Sequence, residues 1–528
     1  MSSVIGIAFG NTTSSIAVAT PDGKVDVIAN PDGDRAIPSA LSYVGDDEYH
    51  GAQAVAQLVR NPKNTVINFR DFIGKSFQDI DLSKSQASAV PVDVNGKISY
   101  KLNPADKEIS LSVDEIVKRH LVQIKEAAVD YTGTKVESVV ITVPTNFTEV
   151  QKEELVKIAA EAGLNVIQLI NEPTAALLAH LSAADRLLED KIFVVADFGG
   201  IRSDAAVIAV RGGIFTVLAS QHDFNLGGDS LDDALAEFFS KEFEKKFSAN
   251  PRNSARSLAK LKAACIITKK TLSNVQTSTI SIDSLADGFD FHSTINRLRF
   301  ELVGRAVFTK MAEFVESTVK KAGLENLDID EVLLVGGTSH IPKVSANMEA
   351  IFPETTVISK SVDPNELACR GAALQASMVS SFEKEEISES LQPVVVNTLH
   401  LAKPIGIKGA SGEFISVLSQ ETAYPIKKSV IIESSAEDAL VEIYEGERHV
   451  KETVVEAEKY SDDEEDDYSD EEPEVVKSVE YKPAELLAEL VLPQVGAGSK
   501  VEVILSIDRE NKLKITARSG AVVVSGTV

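Results

Sequence analysis

The chain is poor in cysteine, with only Cys265 and Cys369 among 528 residues. Both lie in predicted helices, so the sequence excludes a disulfide framework and favours a reducing compartment. The N-terminus lacks the basic start of a signal peptide, and Gly6 and Gly10 interrupt its apolar stretch. No apolar run approaches the length that crosses a bilayer. We therefore expect a soluble cytoplasmic protein with no membrane partner.

The chain also lacks a basic excess. Its formal net charge is −27, and a nucleic-acid-binding surface needs clustered lysine and arginine, so direct nucleic-acid binding is excluded. Much of the acidic excess lies in one run, Asp462–Asp467 with Asp470–Glu472. Such a block repels itself and stays extended, which predicts a disordered acidic loop near residues 458–476. Ser461 and Ser469 precede acids in this run and are hypothetical sites for an acid-directed kinase.

Residues 1–382 alternate predicted strands with long amphipathic helices, which is typical of an α/β protein with covered sheets. One predicted helix follows the strand Val139–Val143. Thr148 and Gln151 form a capping-box pattern at its start, and Gly163 is a C-terminal stop. Its apolar residues recur at helical spacing: Val150, Leu155, Ile158 and Ala159.

Beyond a polar linker at residues 383–393, the apolar pattern changes from helical to alternating. Residues 394–528 therefore form a predicted small β domain, a truncated sandwich interrupted by the acidic loop. Its predicted strands include Phe414–Leu418, Ala439–Tyr444, and a hairpin of Val501–Ile507 with Leu513–Ala517. We expect no helical lid after the last strands.

A glycine-turn hairpin occurs twice in the α/β region, first at Gly6–Ser15 and again at Val195–Asp204. Glycine lets the backbone approach a ligand, and successive N–H groups form an anion site, so two facing turns would hold a polyphosphate. The second hairpin carries Asp197 and Asp204, whereas the first has Ala8 where its matching acid would lie. This asymmetry favours a protein that holds a nucleotide over one that cleaves it.

Six motifs in order resemble the DnaK-type heat-shock chaperone family, whose nucleotide domain has a two-lobed, actin-like α/β fold. They are Gly6–Ser14, Val140–Phe147, Ile170–Ala176, Asp197–Gly200, Val335–Lys343 and Tyr444–Arg448. The resemblance covers nearly the whole chain. Within the family, the chain is most similar to the atypical, lid-less member of the fungal ribosome-associated complex, because its phosphate motifs are degenerate, its β domain is short, and Asn68–Gly74 matches.

The resemblance implies ATP as the ligand and leaves open whether Mg²⁺ accompanies it or is absent. It implies no metal ligand set and no catalytic residue. The nucleotide-binding residues that it implies are Gly10, Asn11, Thr12, Thr13, Arg70, Glu172, Asp197, Gly199, Gly200, Arg202, Gly227, Gly228, Lys269, Lys270, Ser273, Gly336, Gly337, Thr338, His340 and Asn365.

Several residues depart from the family pattern. Ala8 replaces an aspartate beside the metal's water shell, and Arg70 replaces the catalytic lysine. An arginine at position 202 replaces a threonine of the second phosphate turn; it either points at the phosphates in place of the metal or pairs with a surface acid. Three further replacements alter the turn and the adenosine side: Ile201 for glycine, Ile266 for glutamate and His340 for arginine.

The resemblance therefore implies an atypical co-chaperone that binds ATP without efficient hydrolysis, and not an enzyme. Its implied partners are a zuotin-like J-protein in a stable heterodimer, the ribosome through that partner, an active DnaK-type chaperone and nascent polypeptide. The alternative is a slow but genuine ATP-driven folding chaperone. A sugar kinase or filament protein of the same fold does not explain the C-terminal β domain.

Overall fold

The computed structural model describes residues 3–20, 23–82, 88–359, 363–383, 385–387, 399–455 and 474–528. Two lobes, each built on one mixed sheet, occupy residues 3–379, and a β domain follows from residue 399. The functional cleft lies between the lobes, so the packing of the lobes decides its shape.

Lobe I is built on a sheet of order β12-β11-β1-β2-β3, with β4 beside β2. Its strands are β1 (Ser3–Phe9), β2 (Thr13–Ala19), β3 (Val25–Ile28), β4 (Ile37–Pro38), β5 (Ala40–Val44), β6 (Asp47–His50), β7 (Thr65–Ile67), β8 (Pro91–Val94), β9 (Lys97–Leu102), β10 (Ile109–Ser112), β11 (Val136–Val143) and β12 (Asn165–Asn171). Its helices are α1 (Gly51–Val55), α2 (Val113–Thr132), α3 (Glu149–Glu161) and α4 (Glu172–Ala183).

Lobe II repeats the same plan with a sheet of order β15-β14-β13-β18-β19. In both sheets the first strand pairs antiparallel with the second and parallel with a later one, which confirms that the hairpin occurs twice. The elements of lobe II are β13 (Lys191–Phe198), β14 (Ser203–Arg211), β15 (Ile214–Asp223), α5 (Gly228–Phe247), α6 (Ala255–Asn274), β16 (Thr277–Ala286), β17 (Phe289–Asn296), α7 (Arg297–Val303), α8 (Arg305–Lys321), β18 (Glu331–Val335), α9 (Pro342–Ile351) and β19 (Val357–Ser359).

The lobes are joined where α4 crosses α10 (Leu367–Val379). The apolar face of α4 packs on the lobe II sheet, and α10 packs on the lobe I sheet. At the crossing, a Cβ on Gly371 would lie 1.7 Å from the carbonyl oxygen of Ala175. A Cβ on Gly6 would lie 2.1 Å from the backbone nitrogen of Ala373. Because only glycine fits at these two positions, the backbones approach closely there.

The β domain consists of two four-stranded sheets of order β22-β21-β25-β26 and β24-β27-β28-β29 that share one apolar core, and residues 399–455 and 474–528 contain no helix. Along β27 the residues alternate between buried and partly exposed, as the sequence predicts for a sandwich strand. The strands are β20 (Leu399–His400), β21 (Ile405–Lys408), β22 (Phe414–Leu418), β23 (Ala423–Tyr424), β24 (Ile426–Glu433), β25 (Ala439–Val455), β26 (Glu474–Leu492), β27 (Lys500–Ile507), β28 (Leu513–Ser519) and β29 (Val522–Thr527).

The β domain is attached to lobe II by polar contacts. Arg211 in lobe II donates from Nε to the carbonyl of Gln420 at 2.8 Å. In the other direction, Arg448 of the β domain donates from Nε to Asp328 at 2.8 Å. Two further ion pairs lie in the same interface: Lys428 with Asp190, and Arg448 with Glu325.

The predicted helix after β11 is confirmed as α3, with the capping box between Thr148 and Gln151 and with Gly163 at φ +75°. The placement of Val150 on its buried face is wrong, because the side chain is 61 % exposed. Gln151 is buried instead, since a Cβ on the neighbouring Gly74 would lie only 3.0 Å from its Cα. Close backbone packing at the first turn overrides the apolar pattern.

The domain boundaries around the β region stay a prediction. Residues 385–387 of the linker are helical, and residues 384 and 388–393 lie outside the described residues. The acidic run, with Ser461 and Ser469, also lies outside them. The predicted loop ends sooner than expected because β26 begins at Glu474. The strand before the loop, β25, extends beyond the predicted Ala439–Tyr444, since it pairs with β26 along its length.

We expect Gly371→Ala to destabilise the two-lobed domain by about 3 kcal/mol, the upper end of the range for overpacking, because its new methyl group meets backbone on the facing helix. Urea unfolding measures the loss. The control is Gly526→Ala, whose Cβ would have no atom within 4 Å and should change stability by less than about 0.5 kcal/mol. If the two variants lost the same free energy of unfolding, the helix crossing would not be the feature that constrains the lobes.

Candidate functional site

The two hairpin turns face each other across the cleft. The ladders close at the equivalent pairs Phe9 with Ser14 and Phe198 with Ser203, so the two turns occupy matching positions in the lobes. A Cβ on Gly200 would lie 2.6 Å from Oγ1 of Thr12. The backbone of one turn therefore touches the side chain of the other, as the repeated hairpin predicts.

The strand register confirms the predicted asymmetry of acids. Asp197 on β13 lies directly opposite Asp204 on β14. At the equivalent positions in lobe I, Ala8 lies opposite Ser15. Lobe II therefore brings two carboxyl groups to the cleft at a point where lobe I brings a methyl group and a hydroxyl group.

Arg70 is buried and fully engaged in lobe I. It lies on a 3₁₀ turn, Arg70–Phe72, directly after β7 and a short loop. Its guanidinium donates to Glu172 at 2.7 Å, to Asp71 at 2.9 Å and to the carbonyl of Phe9 at 3.0 Å. Burial alone would lower the pKa of Arg70, but the charges of Asp71 and Glu172 outweigh it and raise the pKa. The side chain is thus a permanent cation held by two acids.

Arg202 is held in the same way from lobe II. It is 5 % exposed and donates from Nε to Asp204 at 2.7 Å and from Nη1 to Asp71 at 3.1 Å. Nη2 donates to Asn146 at 3.0 Å and also to Asp204. Of the two alternatives for this residue, pairing with acids is what the structure contains, but the acids are in the cleft and not at the surface.

Asp197 and Glu172 line a small cavity together with Asp204 and Thr145. Burial, together with the neighbouring charges of Glu172 and Asp204, raises the pKa of Asp197 to about 8 against the opposing effect of Arg202 and Arg70. Burial also raises the pKa of Glu172, against the opposing effect of Arg70. The fold therefore favours the protonated, neutral form of Asp197.

This donor set does not suit a directly bound divalent cation. Glu172 and Asp204 already accept hydrogen bonds from arginine, and Asp197 favours its protonated form. Within the described ranges, no group of three or more His, Cys, Asp or Glu side chains is arranged to hold a metal ion. Hard divalent cations prefer several ionised oxygens as ligands. In this cleft the ionised oxygens are instead paired with guanidinium groups.

Lobe II supplies a network beside the second turn. The carbonyl of Gly199 accepts from the backbone N–H of Gly228 at 3.0 Å and from Oγ1 of Thr338 at 2.9 Å. Lys269 on α6 donates to the carbonyl of Gly228 at 2.7 Å and to Asp232 at 2.6 Å. A Cβ on Gly227 would lie 2.7 Å from the carbonyl carbon of Ile201. The turn is therefore fixed from α5, α6 and the turn after β18.

The turn after β18 approaches the cleft through Gly336, which has φ +81°. A Cβ there would lie 2.3 Å from Oδ1 of Asp197, so the Val335–Lys343 motif is in contact with the second hairpin. His340 and Asn365 are hydrogen-bonded at 2.8 Å between Nε2 and Nδ2. Gly337 packs beside them, since its Cβ would lie 3.0 Å from Oδ1 of Asn365.

Three of the predicted residues lie at the margin of this cluster. Thr13 and Lys270 are exposed, and the hydroxyl of Ser273 donates within α6 to the carbonyl of Lys269 at 3.1 Å. The predicted sharing of one helical face by Lys269 and Ser273 is confirmed by that contact. The remaining predicted residues lie around the cleft.

Sequence reasoning missed the partners that hold the cationic residues. Asp71 joins Arg70 to Arg202, and Asp232 holds Lys269. Phe224 lies with its ring centroid 4.7 Å from the guanidinium carbon of Arg202. Only Asp71 carries a local signal, because it adjoins Arg70 in the chain; the others meet their partners through the fold.

Comparison with protein families matches residues 4–463 to the Hsp70 protein family. The chain is 54% identical to the ribosome-associated complex subunit SSZ1 of Saccharomyces cerevisiae, over 98% of this chain and 97% of that protein. It is 48% identical to a heat shock protein 70 homologue of Schizosaccharomyces pombe, over 98% and 93% of the two chains. Identity to a ribosome-associated molecular chaperone of Saccharomyces cerevisiae is 32%, over 97% of this chain and 79% of that protein.

We expect the stability of the chain to fall as pH rises through the range between an ordinary carboxyl pKa and about 8, because the fold favours protonated Asp197. Asp197→Asn mimics the protonated form and should flatten this part of the curve. At pH 8.5 it should be more stable than wild type by about 1–3 kcal/mol. Urea unfolding at a series of pH values measures both curves. Asp233→Asn, at an exposed acid on α5, should follow wild type; parallel curves for all three chains would contradict the assignment.

Proposed function

Because this chain belongs to the Hsp70 family, we propose that it is an atypical co-chaperone that binds ATP without efficient hydrolysis. It acts at the ribosome with a J-protein and assists the folding of nascent chains by an active DnaK-type chaperone. The observation that carries the proposal is the state of the acids in the cleft. Glu172 and Asp204 are bonded to arginine, Asp197 favours its neutral form, and Ala8 supplies none.

Hydrolysis of a phosphoanhydride needs charge stabilisation of the transferring group, a positioned water and, in this family, carboxylates around a metal. Arg70 keeps the positive charge of a lysine, but its donors are committed to Glu172, Asp71 and a carbonyl. The cleft retains the facing turns that hold phosphates and has lost free carboxylates. Retention of ATP without turnover follows from these two features together.

The facing turns and the network around Gly199 support binding of the triphosphate, which supplies a polyanion for their N–H groups. ATP then acts as a structural ligand and stabilises the closed lobes by mass action. We propose that the nucleotide is held by Gly10, Asn11, Thr12, Thr13, Arg70, Glu172, Asp197, Gly199, Gly200, Arg202, Gly227, Gly228, Lys269, Lys270, Ser273, Gly336, Gly337, Thr338, His340 and Asn365.

The role at the ribosome is supported by the relatives named for it, of which two are described as ribosome-associated. With a net charge of −27, the chain does not suit direct contact with ribosomal RNA. We therefore propose that a basic, zuotin-like J-protein carries it to the ribosome as a stable heterodimer. No helix in the described part of the chain combines the length and apolarity needed to span a membrane.

The β domain offers the edge strands β22, β26, β24 and β29. An edge strand presents unpaired backbone groups that an extended segment can complete. We propose that a segment of the J-protein, or a nascent polypeptide, adds to one of these edges.

ATP binding without turnover is tested by phosphate release from the purified chain with Mg²⁺ and excess ATP. Wild type should stay at the background rate. Two further variants both carry Arg70→Lys and Arg202→Thr, and one adds Ala8→Asp while the other adds Ala8→Asn. The rate of phosphate release should be about 100-fold higher with Ala8→Asp, since the two side chains have the same shape and differ in charge at a site of charge stabilisation. Brisk wild-type turnover would instead favour a slow but genuine ATP-driven chaperone.

The state of the nucleotide in the assembly is tested by purifying the chain from its source cells with its partners and analysing the extracted nucleotide. We expect ATP and not ADP, together with a basic J-protein that stays bound through gel filtration. Stoichiometric ADP would contradict retention without hydrolysis. Loss of the J-protein at low salt would contradict the stable heterodimer while leaving the nucleotide result intact.

A further inference from the structure

Arg202 is the point at which lobe II reaches across the cleft to lobe I. Its Nη1 donates to Asp71 and its Nη2 to Asn146, both in lobe I, at 3.1 and 3.0 Å. Within lobe II the same guanidinium is fixed by Asp204. Arginine carries five N–H donors in a rigid fork, so its position is set from both sides of the cleft at once.

The lobe I end of this bridge is also fixed. Asp71 accepts from Nε of Arg70 at 2.9 Å through one oxygen and from Asn11 at 3.3 Å through the other. Burial alone would raise the pKa of Asp71, but the charges of Arg70 and Arg202 outweigh it and hold the pKa below its usual value. Asp71 is therefore an anion that two cations from different lobes share.

A second contact across the cleft lies beside the first. The ring of Phe224, at the end of β15 in lobe II, covers the guanidinium of Arg202 at 4.7 Å. The Nζ of Lys75, in lobe I, lies 5.6 Å from the centroid of the same ring. The ring of Phe224 thus lies within cation–π distance of two cations, one from each lobe.

The first hairpin has no equivalent of this bridge. The ladders close at Phe9–Ser14 and Phe198–Ser203, so Arg202 occupies the position that Thr13 occupies in lobe I. Thr13 is exposed and short, and it does not span the cleft. Of these two equivalent positions, only the one in lobe II carries a side chain, that of Arg202, which contacts the other lobe.

We propose that the contacts of Arg202 with Asp71 and Asn146, covered by Phe224, form a latch that keeps the two lobes closed and slows the release of nucleotide. Opening the cleft separates a hydrogen-bonded ion pair that is nearly free of water. Truncating one partner of such a pair acts mainly on the dissociation rate. The latch rests on the proposed function only in that a nucleotide occupies the cleft; it does not require that hydrolysis be absent.

The test measures release of a fluorescent ATP analogue from the purified full chain, chased with excess ATP. We expect Arg202→Thr and Asp71→Asn each to speed release by about tenfold. Asp71 also binds Arg70, so the variant that combines Arg202→Thr with Asp71→Asn is needed to complete a double-mutant cycle. Its release rate should resemble that of Arg202→Thr alone. Arg202→Lys retains the charge without the fork and should give an intermediate rate. Arg518→Ala removes an exposed ion pair in the β domain and should leave the rate unchanged.

A second readout does not depend on nucleotide affinity. Spin labels at Lys63→Cys in lobe I and Arg256→Cys in lobe II, both exposed positions, report the distance between the lobes. The distribution should shift to longer distances in Arg202→Thr and stay narrow in Arg518→Ala. The latch would be overturned if Arg202→Thr and Asp71→Asn changed the release rate independently of each other. It would also be overturned if Arg202→Thr gave the same distance distribution as wild type. Turnover by wild type with faster release from Arg202→Thr would overturn the proposed function and retain the latch.

Discussion

The geometry of the cleft depends on the close crossing of two helices. Gly371 on α10 and Gly6 on β1 leave no space for a Cβ between their own backbone and the backbone that faces them. This contact places α10 against the lobe I sheet while α4 lies on the lobe II sheet. The two hairpins, each in the same position of its own sheet, are brought face to face as a result. The helix crossing therefore places the two copies of the hairpin on opposite sides of one cleft.

Within that cleft, two arginines balance the charge of the buried acids. Isolated buried acids are costly, and a cation within hydrogen-bonding distance removes most of the cost. Arg70 and Arg202 supply that cation to Glu172, Asp71 and Asp204 from within the chain. The guanidinium group cannot lose its proton and holds its donors in one plane. The acids are thereby stabilised in place, and their oxygens are withdrawn from other chemistry.

Local rules predicted the hairpins, the capping box at Thr148 and the sandwich strands, because each depends on residues close in sequence. They failed at Val150, where packing of a distant glycine decides which side chain is buried. They also missed Asp71 and Phe224 as partners of Arg202, since these residues lie in different lobes or elements and meet only in the fold. The residues predicted for the site belong to sequence motifs, whereas Phe224, which packs against one of them, does not.

The attachment of the β domain has a mechanical consequence. Arg211, Asp190 and Asp328 anchor it to lobe II through Gln420, Lys428 and Arg448. Because these contacts join the β domain to lobe II, we expect the two to move together when the cleft opens. The distance from the β domain to lobe I then changes with the cleft, whereas its distance to lobe II does not.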